Sequence, residues 1–116
     1  MSGFEIEFYT LPDGTQPVRE LIDSLDAKLS RKVLDDLDML RHYGNRLREP
    51  YSKRVSDGVF ELRIRQSSNS VRVLYFFVAG RRIVVTHGFV KKSNKLPRAE
   101  LRRAKRYRQD WLERNR

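Results

Sequence analysis

Phe60, Leu62 and Ile64 alternate with Glu61, Arg63 and Arg65. A period of two is the signature of a strand that buries one face and turns the other toward something polar. Asp57-Gly58 stands before this stretch as a turn, and residues 66–70 follow as a polar loop. Residues 71–78 form a nearly continuous β-branched and aromatic run, which suits a central strand. Ala79-Gly80-Arg81 makes a tight turn, and residues 83–89 supply a further strand. Connections this short place neighbouring strands antiparallel. With Phe60, Leu62 and Ile64 facing a helical layer, Arg63 and Arg65 project from the opposite face, which is expected to be an exposed, arginine-bearing surface.

The helical layer is legible upstream. Residues 4–8 alternate as a first strand, Leu11-Pro12-Asp13-Gly14 marks a turn, and Pro17 suits the first turn of a helix striped by Val18, Leu21, Ile22 and Leu25. Asp26 is a natural N-cap for a second helix carrying Leu29, Val33, Leu37 and Leu40, with Gly44 as its stop. Asp35, Asp36 and Asp38 are expected on the outer side of that helix. Pro97 opens a last helix with an apolar stripe of Leu101, Ala104, Tyr107, Trp111 and Leu112. The order is β-α-α-β-β-β-α. It implies an α+β fold with a mostly antiparallel twisted sheet, a helical hairpin on one face and a C-terminal helix. Residues 1–116 read as a single domain, without repeat or linker.

Charge is distributed unevenly. Of 25 lysines and arginines against 15 acidic residues, residues 1–50 hold 7 basic and 10 acidic, residues 51–92 hold 9 and 2, and residues 93–116 hold 9 and 3. A net charge of +10 concentrated in the sheet and last helix points to a polyanion-binding face. The chain has no cysteine, which excludes disulfides, thiolate metal sites and cysteine nucleophiles. No apolar run nears a membrane span, and the first residues lack the pattern of a signal peptide, so a cytoplasmic location is expected.

No His-Glu-x-x-His, Gly-x-Ser-x-Gly or glycine-rich phosphate loop is present. His42 reads as a helix-end surface residue, and two isolated histidines make no zinc site. What remains is a cation cluster. Arg63 and Arg65 lie on one strand, Arg72 on its hairpin partner, and Lys91-Lys92 at the end of the next. Such a gathering suits a phosphate, which takes bidentate guanidinium donors. The alternative is that Arg63, Arg65 and Arg72 pair with Glu61 and helix carboxylates, or face solvent.

Gly58-Val59-Phe60-Glu61-Leu62-Arg63, Val71-Arg72-Val73-Leu74-Tyr75-Phe76, His87-Gly88-Phe89-Val90-Lys91-Lys92, Leu96-Pro97 and Ala104 together resemble the HigB-type, phage-derived branch of the RelE/ParE toxin superfamily. The resemblance runs over nearly the whole chain. It implies a RelE-like fold and the toxin of a type II toxin–antitoxin system. It further implies a ribosome-dependent endoribonuclease that cuts mRNA in the ribosomal A site without metal or other cofactor. In such enzymes the ribose 2′-hydroxyl attacks the neighbouring phosphate. The implied partners are the ribosome, its mRNA and a helix-turn-helix antitoxin.

By position, the resemblance makes Arg72 the stabiliser of the scissile phosphate, with Arg63 beside it. Lys91 or Lys92 becomes the proton-transfer group, because crowding by cations lowers a lysine pKa. Related toxins often carry a catalytic tyrosine a few residues further on. Here Ser93, Asn94, Lys95, Leu96 and Pro97 fill that stretch, and His87 is the substitute candidate, the alternative being a histidine packed at its strand end. Tyr107 reads as core. Arg65, Lys53, Arg54, Lys95, Arg102 and Arg106 are the expected nucleic-acid contacts. Two other activities fit the same architecture: a ParE-like inhibitor of DNA gyrase, and a non-catalytic nucleic-acid-binding module.

Overall fold

In the computed structural model, residues 3–93 and 95–116 are described. Met1 and Ser2 of the N-terminal reading, and Asn94 of the basic loop, lie outside them. The chain runs β1 (Glu5–Phe8), α1 (Pro17–Ser24), α2 (Ala27–Tyr43), a short 3-10 turn (Gly44–Arg46), β2 (Ser52–Ser56), β3 (Val59–Gln66), β4 (Asn69–Val78), β5 (Arg82–Val90) and α3 (Arg98–Arg114). The α+β architecture matches the expectation and is compatible with a RelE-like fold. The sheet has five strands in the order β1-β5-β4-β3-β2. Only the β1–β5 pair is parallel; the others are antiparallel.

Strand β2 was not expected from the sequence. Its stretch, Ser-Lys-Arg-Val-Ser, has one apolar residue and no alternation to detect. It pairs with β3 at the sheet edge, where charged side chains also discourage pairing with another chain. The expected polar loop at 66–70 shrinks as well. Pairing of Gln66 with Asn69 leaves only Ser67 and Ser68 at the turn, with Ser67 at φ 54°. The tight hairpin sets Arg65 opposite Ser70 and Arg63 opposite Arg72.

The period-two stretch behaves as its pattern requires. Leu62 and Ile64 are fully buried in one cluster with Val71, Val73, Val85 and the apolar stripes of α1 and α2. Burying each such side chain contributes about 1.5–3 kcal/mol. A one-residue slip of β3 would forfeit that and push Arg63 into the same core, so the register is strongly specified. Asp26 caps α2 as expected, accepting a 2.9 Å hydrogen bond from the Leu29 amide. Where α1 crosses β5, a β-carbon on Gly88 would sit 2.6 Å from Leu21 and 2.7 Å from the Arg72 carbonyl, so only glycine allows that approach.

The other sheet face departs from expectation. It is not left open: α3 covers much of it. Trp111 packs with Tyr9, Phe76 and Val84, and Ala104 packs with Val59 and Leu74. The Trp111 indole donates to Glu7 (2.7 Å), and the Tyr9 hydroxyl donates to Asp110 (2.6 Å), fastening α3 to β1 and the segment after it. A helix this rich in cations still buries a face because its apolar residues share one stripe. The arginine-bearing surface is therefore a strip at one end of the sheet, past the start of α3. Asp36 is a second correction. It is buried, not on the outer side of α2, and pairs with Lys32 at 2.9 Å. No helix among the described residues is long and apolar enough to cross a membrane.

Candidate phosphate-binding site

Arg63 and Arg72 are direct cross-strand partners on the face opposite the helical hairpin. Like charges in that relation repel. Glu61, two residues before Arg63 and on the same face, resolves the conflict. Its Oε1 accepts from Arg72 Nη1 at 2.6 Å and from Arg63 Nε at 3.1 Å. The Glu61 and Arg72 side chains are 2% and 8% exposed, while Arg63 is about a quarter exposed and reaches Glu49 at 3.6 Å. The sequence-level alternative of pairing with Glu61 is thus realised for Arg63 and Arg72, but one carboxylate faces several cations. Arg65 is exposed. Glu61 Oε2 and Arg72 Nε are buried without a hydrogen-bond partner among the described residues. The cluster holds both surplus positive charge and unused donor capacity.

Lys91 completes it. Its backbone amide donates to the Ser70 carbonyl at 2.8 Å, which anchors the residue beside the β3–β4 hairpin. Burial holds the Lys91 ammonium below the ordinary lysine range, and the neighbouring charges of Arg72, Arg63 and Arg65 push the same way, against the opposing carboxylate of Glu61. Lys32 and Asp36 of α2, Tyr51, Arg63, Arg65 and Arg72 line one groove of about 360 Å³. Lys32 and Tyr51 escaped the sequence reading, and Asp36 was expected on the outer side of α2 instead of in this groove. The signal for Asp36 was present, since Val33, Asp36 and Leu40 recur at the i, i+3, i+7 spacing of a buried helix face.

His87 lies elsewhere. The β4–β5 register shifts between Leu74 and Tyr75, a bulge that places His87 opposite Leu74. The bulge re-aims the side chain away from the Ile83–Val85 face and under α3. There His87 is buried, with Nε2 3.0 Å from Glu100 Oε1 and its ring edge-on to Tyr107. Burial depresses its pKa, with Arg103 and Arg106 adding to the shift and Glu100 opposing it. It opens on a different groove, shared with Asp13, Glu20, Arg103 and Tyr107. Tyr107 itself is half-buried and stacked on Tyr9, as a core role requires.

The remaining sequence candidates surround the cluster without joining it. Lys92 and Lys95 are exposed in the loop after β5. Lys53 and Arg54 are exposed on edge strand β2, where Arg54 pairs with Asp57 at 2.5 Å. Arg102 and Arg106 are exposed on α3. Among the described residues, no three histidine or acidic side chains gather to hold a metal ion.

A family model described as phage derived protein Gp49-like (DUF891) matches residues 20–109. No curated protein matches the chain significantly.

Proposed function

The chain belongs to the phage-derived Gp49-like family, a RelE/HigB-type, toxin-like family associated with toxin–antitoxin toxins, and we propose that it is a ribosome-dependent mRNA endonuclease of the HigB branch. The observation that carries this reading is the gathering of Arg63, Arg65, Arg72 and Lys91 about the buried carboxylate of Glu61, with the three arginines lining a groove of about 360 Å³.

The chemistry follows from charge and protonation. A guanidinium is a poor base and a good charge stabiliser, so Arg63 and Arg72 serve as charge stabilisers. A phosphodiester entering the groove meets guanidinium donors, which gain strength as the phosphorane develops further negative charge. Lys91, whose amine is more readily neutral than an ordinary lysine, takes the proton from the ribose 2′-hydroxyl. The 2′-oxygen then bonds to phosphorus, the bond to the 5′-oxygen breaks, and a cyclic phosphate and a 5′-hydroxyl end result. Lys92, exposed outside the cluster, is left without a part in the chemistry, and solvent supplies the proton to the departing 5′-oxygen. His87, under α3, has no place in this scheme. The exposed cations of α3 and β2 serve docking on ribosomal RNA, and a helix-turn-helix antitoxin is the proposed neutralising partner in the cytoplasm.

The test is a translating extract with a reporter mRNA, mapping 5′-hydroxyl ends. The wild type should cut within A-site codons, and Lys91→Met or Arg63→Gln should slow cutting by roughly 10²–10³. Intact mRNA in an extract whose translation halts would refute the reading. Accumulation of cleaved DNA–gyrase complexes would put a ParE-like activity in its place, and a bound but unaltered nucleic acid would leave only a binding module.

A further inference from the structure

Two tyrosines flank the cation groove and play no part in the fold's core. Tyr51 is 50% exposed and Tyr43 is 44% exposed, which makes them two of the few large side chains with apolar bodies left in solvent. Neither position is accidental in geometry. The Tyr51 carbonyl accepts from the Arg63 amide at 2.8 Å, continuing the β2–β3 pairing one residue past the strand, and its amide donates to Arg48 at 2.9 Å. The backbone of Tyr51 is thereby pinned next to an arginine of the cluster, while its ring stands free. Tyr51 is a wall of the cation groove and also of a second groove of about 380 Å³, whose other walls include Tyr43, Arg46 and Arg48. Arg46 lies over the Tyr43 ring, 5.7 Å from its centroid.

The surface leading away from the phosphate cluster thus alternates arginine and exposed aromatic ring. Half-exposed tyrosines cost free energy in water unless something covers them. Single-stranded nucleic acid presents the matching alternation, phosphate and base, and binds proteins through a basic groove combined with aromatic stacking platforms. Charge favours an anionic occupant: the two grooves carry the carboxylates of Glu49 and Asp36, the latter paired with Lys32 at 2.9 Å, against Arg46, Arg48, Arg63, Arg65 and Arg72.

We propose that Tyr51 and Tyr43 are base-stacking platforms of a second RNA subsite, which receives the nucleotides adjoining the phosphate held by the Arg63–Arg65–Arg72 cluster. Tyr51 takes the base next to that phosphate, and Tyr43 takes a base further along the groove. The inference rests on the reading of the groove as an RNA site, but it assigns a subsite that does not depend on cleavage.

The experiment uses a fluorescein-labelled, fully 2′-O-methylated single-stranded hexanucleotide, which cannot be cut, and an abasic hexamer with the same number of phosphates. Anisotropy titrations at one fixed salt concentration give both affinities. The wild type should favour the base-bearing strand. Tyr51→Ala should lower that affinity by about 5- to 150-fold while leaving the abasic strand unchanged. Tyr51→Phe should restore it, because stacking needs the ring and not the hydroxyl. Tyr43→Ala should cost less than Tyr51→Ala, and the two together more than either. A wild type without base-dependent binding, or a Tyr51→Ala variant that weakens both strands equally or neither, overturns the proposal. Capture of the tyrosine face by a protein partner, with RNA affinity unaffected, overturns it too. Cleavage in a translating extract is scored separately, so loss of the nuclease reading and loss of the subsite are distinguishable.

Discussion

Glu61→Gln is the substitution that probes the centre of the site. It keeps the shape of the side chain and removes its charge. The wild-type carboxylate is 2% exposed and bonds Arg72 Nη1 at 2.6 Å and Arg63 Nε at 3.1 Å, with Arg72 itself 8% exposed. Removing one member of a buried ion pair typically costs about 3–5 kcal/mol, because the partner charge stays buried without compensation. The lower end applies, since Arg63 is about a quarter exposed and water can screen it. For a chain of 116 residues, each kcal/mol moves Tm by roughly 3–5 °C, so a drop of roughly 10–15 °C is expected by thermal unfolding. Arg72→Met in the Glu61→Gln background removes the orphaned charge and should recover much of the loss, a coupling that a double-mutant cycle measures. Inorganic phosphate should raise the Tm of Glu61→Gln more than that of the wild type, as an external anion takes over the carboxylate's role. A Tm within about 2 °C of wild type, or additive single and double effects, would refute the idea that Glu61 holds the cations together.

The cations that depress Lys91 give a second expectation. Burial acts first and Arg72, Arg63 and Arg65 add to it, so Arg65→Gln should move the Lys91 titration upward, followed by NMR of the side-chain nitrogen, and the alkaline rise in cleavage should move with it; an unmoved titration would remove Arg65 from the cluster. His87 is held neutral mainly by burial, so the unfolded chain takes up its proton more readily than the folded one. Stability should be unaffected by His87 above the ordinary histidine value of 6.5 and fall as pH drops from there through its depressed pKa; His87→Asn should flatten that part of the Tm–pH curve, while cleavage at neutral pH persists. Arg102→Ala with Arg106→Ala removes two exposed α3 cations, and the slope of log affinity for ribosomes against log salt should become shallower by roughly 0.7–0.9 per lost contact; an unchanged slope would place ribosome docking elsewhere.

Different parts of the molecule were legible for different reasons. The alternation at 60–65 reports burial directly, so β3, its facing helices and the common face of Arg63 and Glu61 followed from sequence. Strand β2 has no such pattern, because an edge strand held by backbone pairing needs no apolar side chains. The cover provided by α3 was hidden by composition: cations outnumber its apolar residues, but Ala104 and Trp111 are buried and set its docking. His87 was legible as a strand-end residue, but the face it occupies is set by the one extra residue at the β5 bulge, which periodicity does not report. Tyr51 escaped because nothing local marks it. Its significance comes from the hydrogen bond that ties its backbone to Arg63, a contact between segments that no periodicity encodes.

That β3–β4 geometry also explains why a nucleic-acid site would bury a carboxylate at its heart. Without Glu61, Arg63 and Arg72 would repel across the hairpin, and each guanidinium would swing toward solvent in the free protein. An RNA phosphate would then have to gather them, and binding energy would go into ordering side chains. With Glu61 Oε1 shared between them, the two arginines are already fixed, and exposed Arg65 beside them keeps the cluster positive. A carboxylate that pairs fully with one arginine would quench the cluster; one carboxylate shared among several cations organises it and leaves it positive. This arrangement predicts an asymmetry between two variants that both weaken the triad. Arg63→Gln leaves Glu61 paired with Arg72 and should cost activity more than stability, whereas Glu61→Gln should cost stability first.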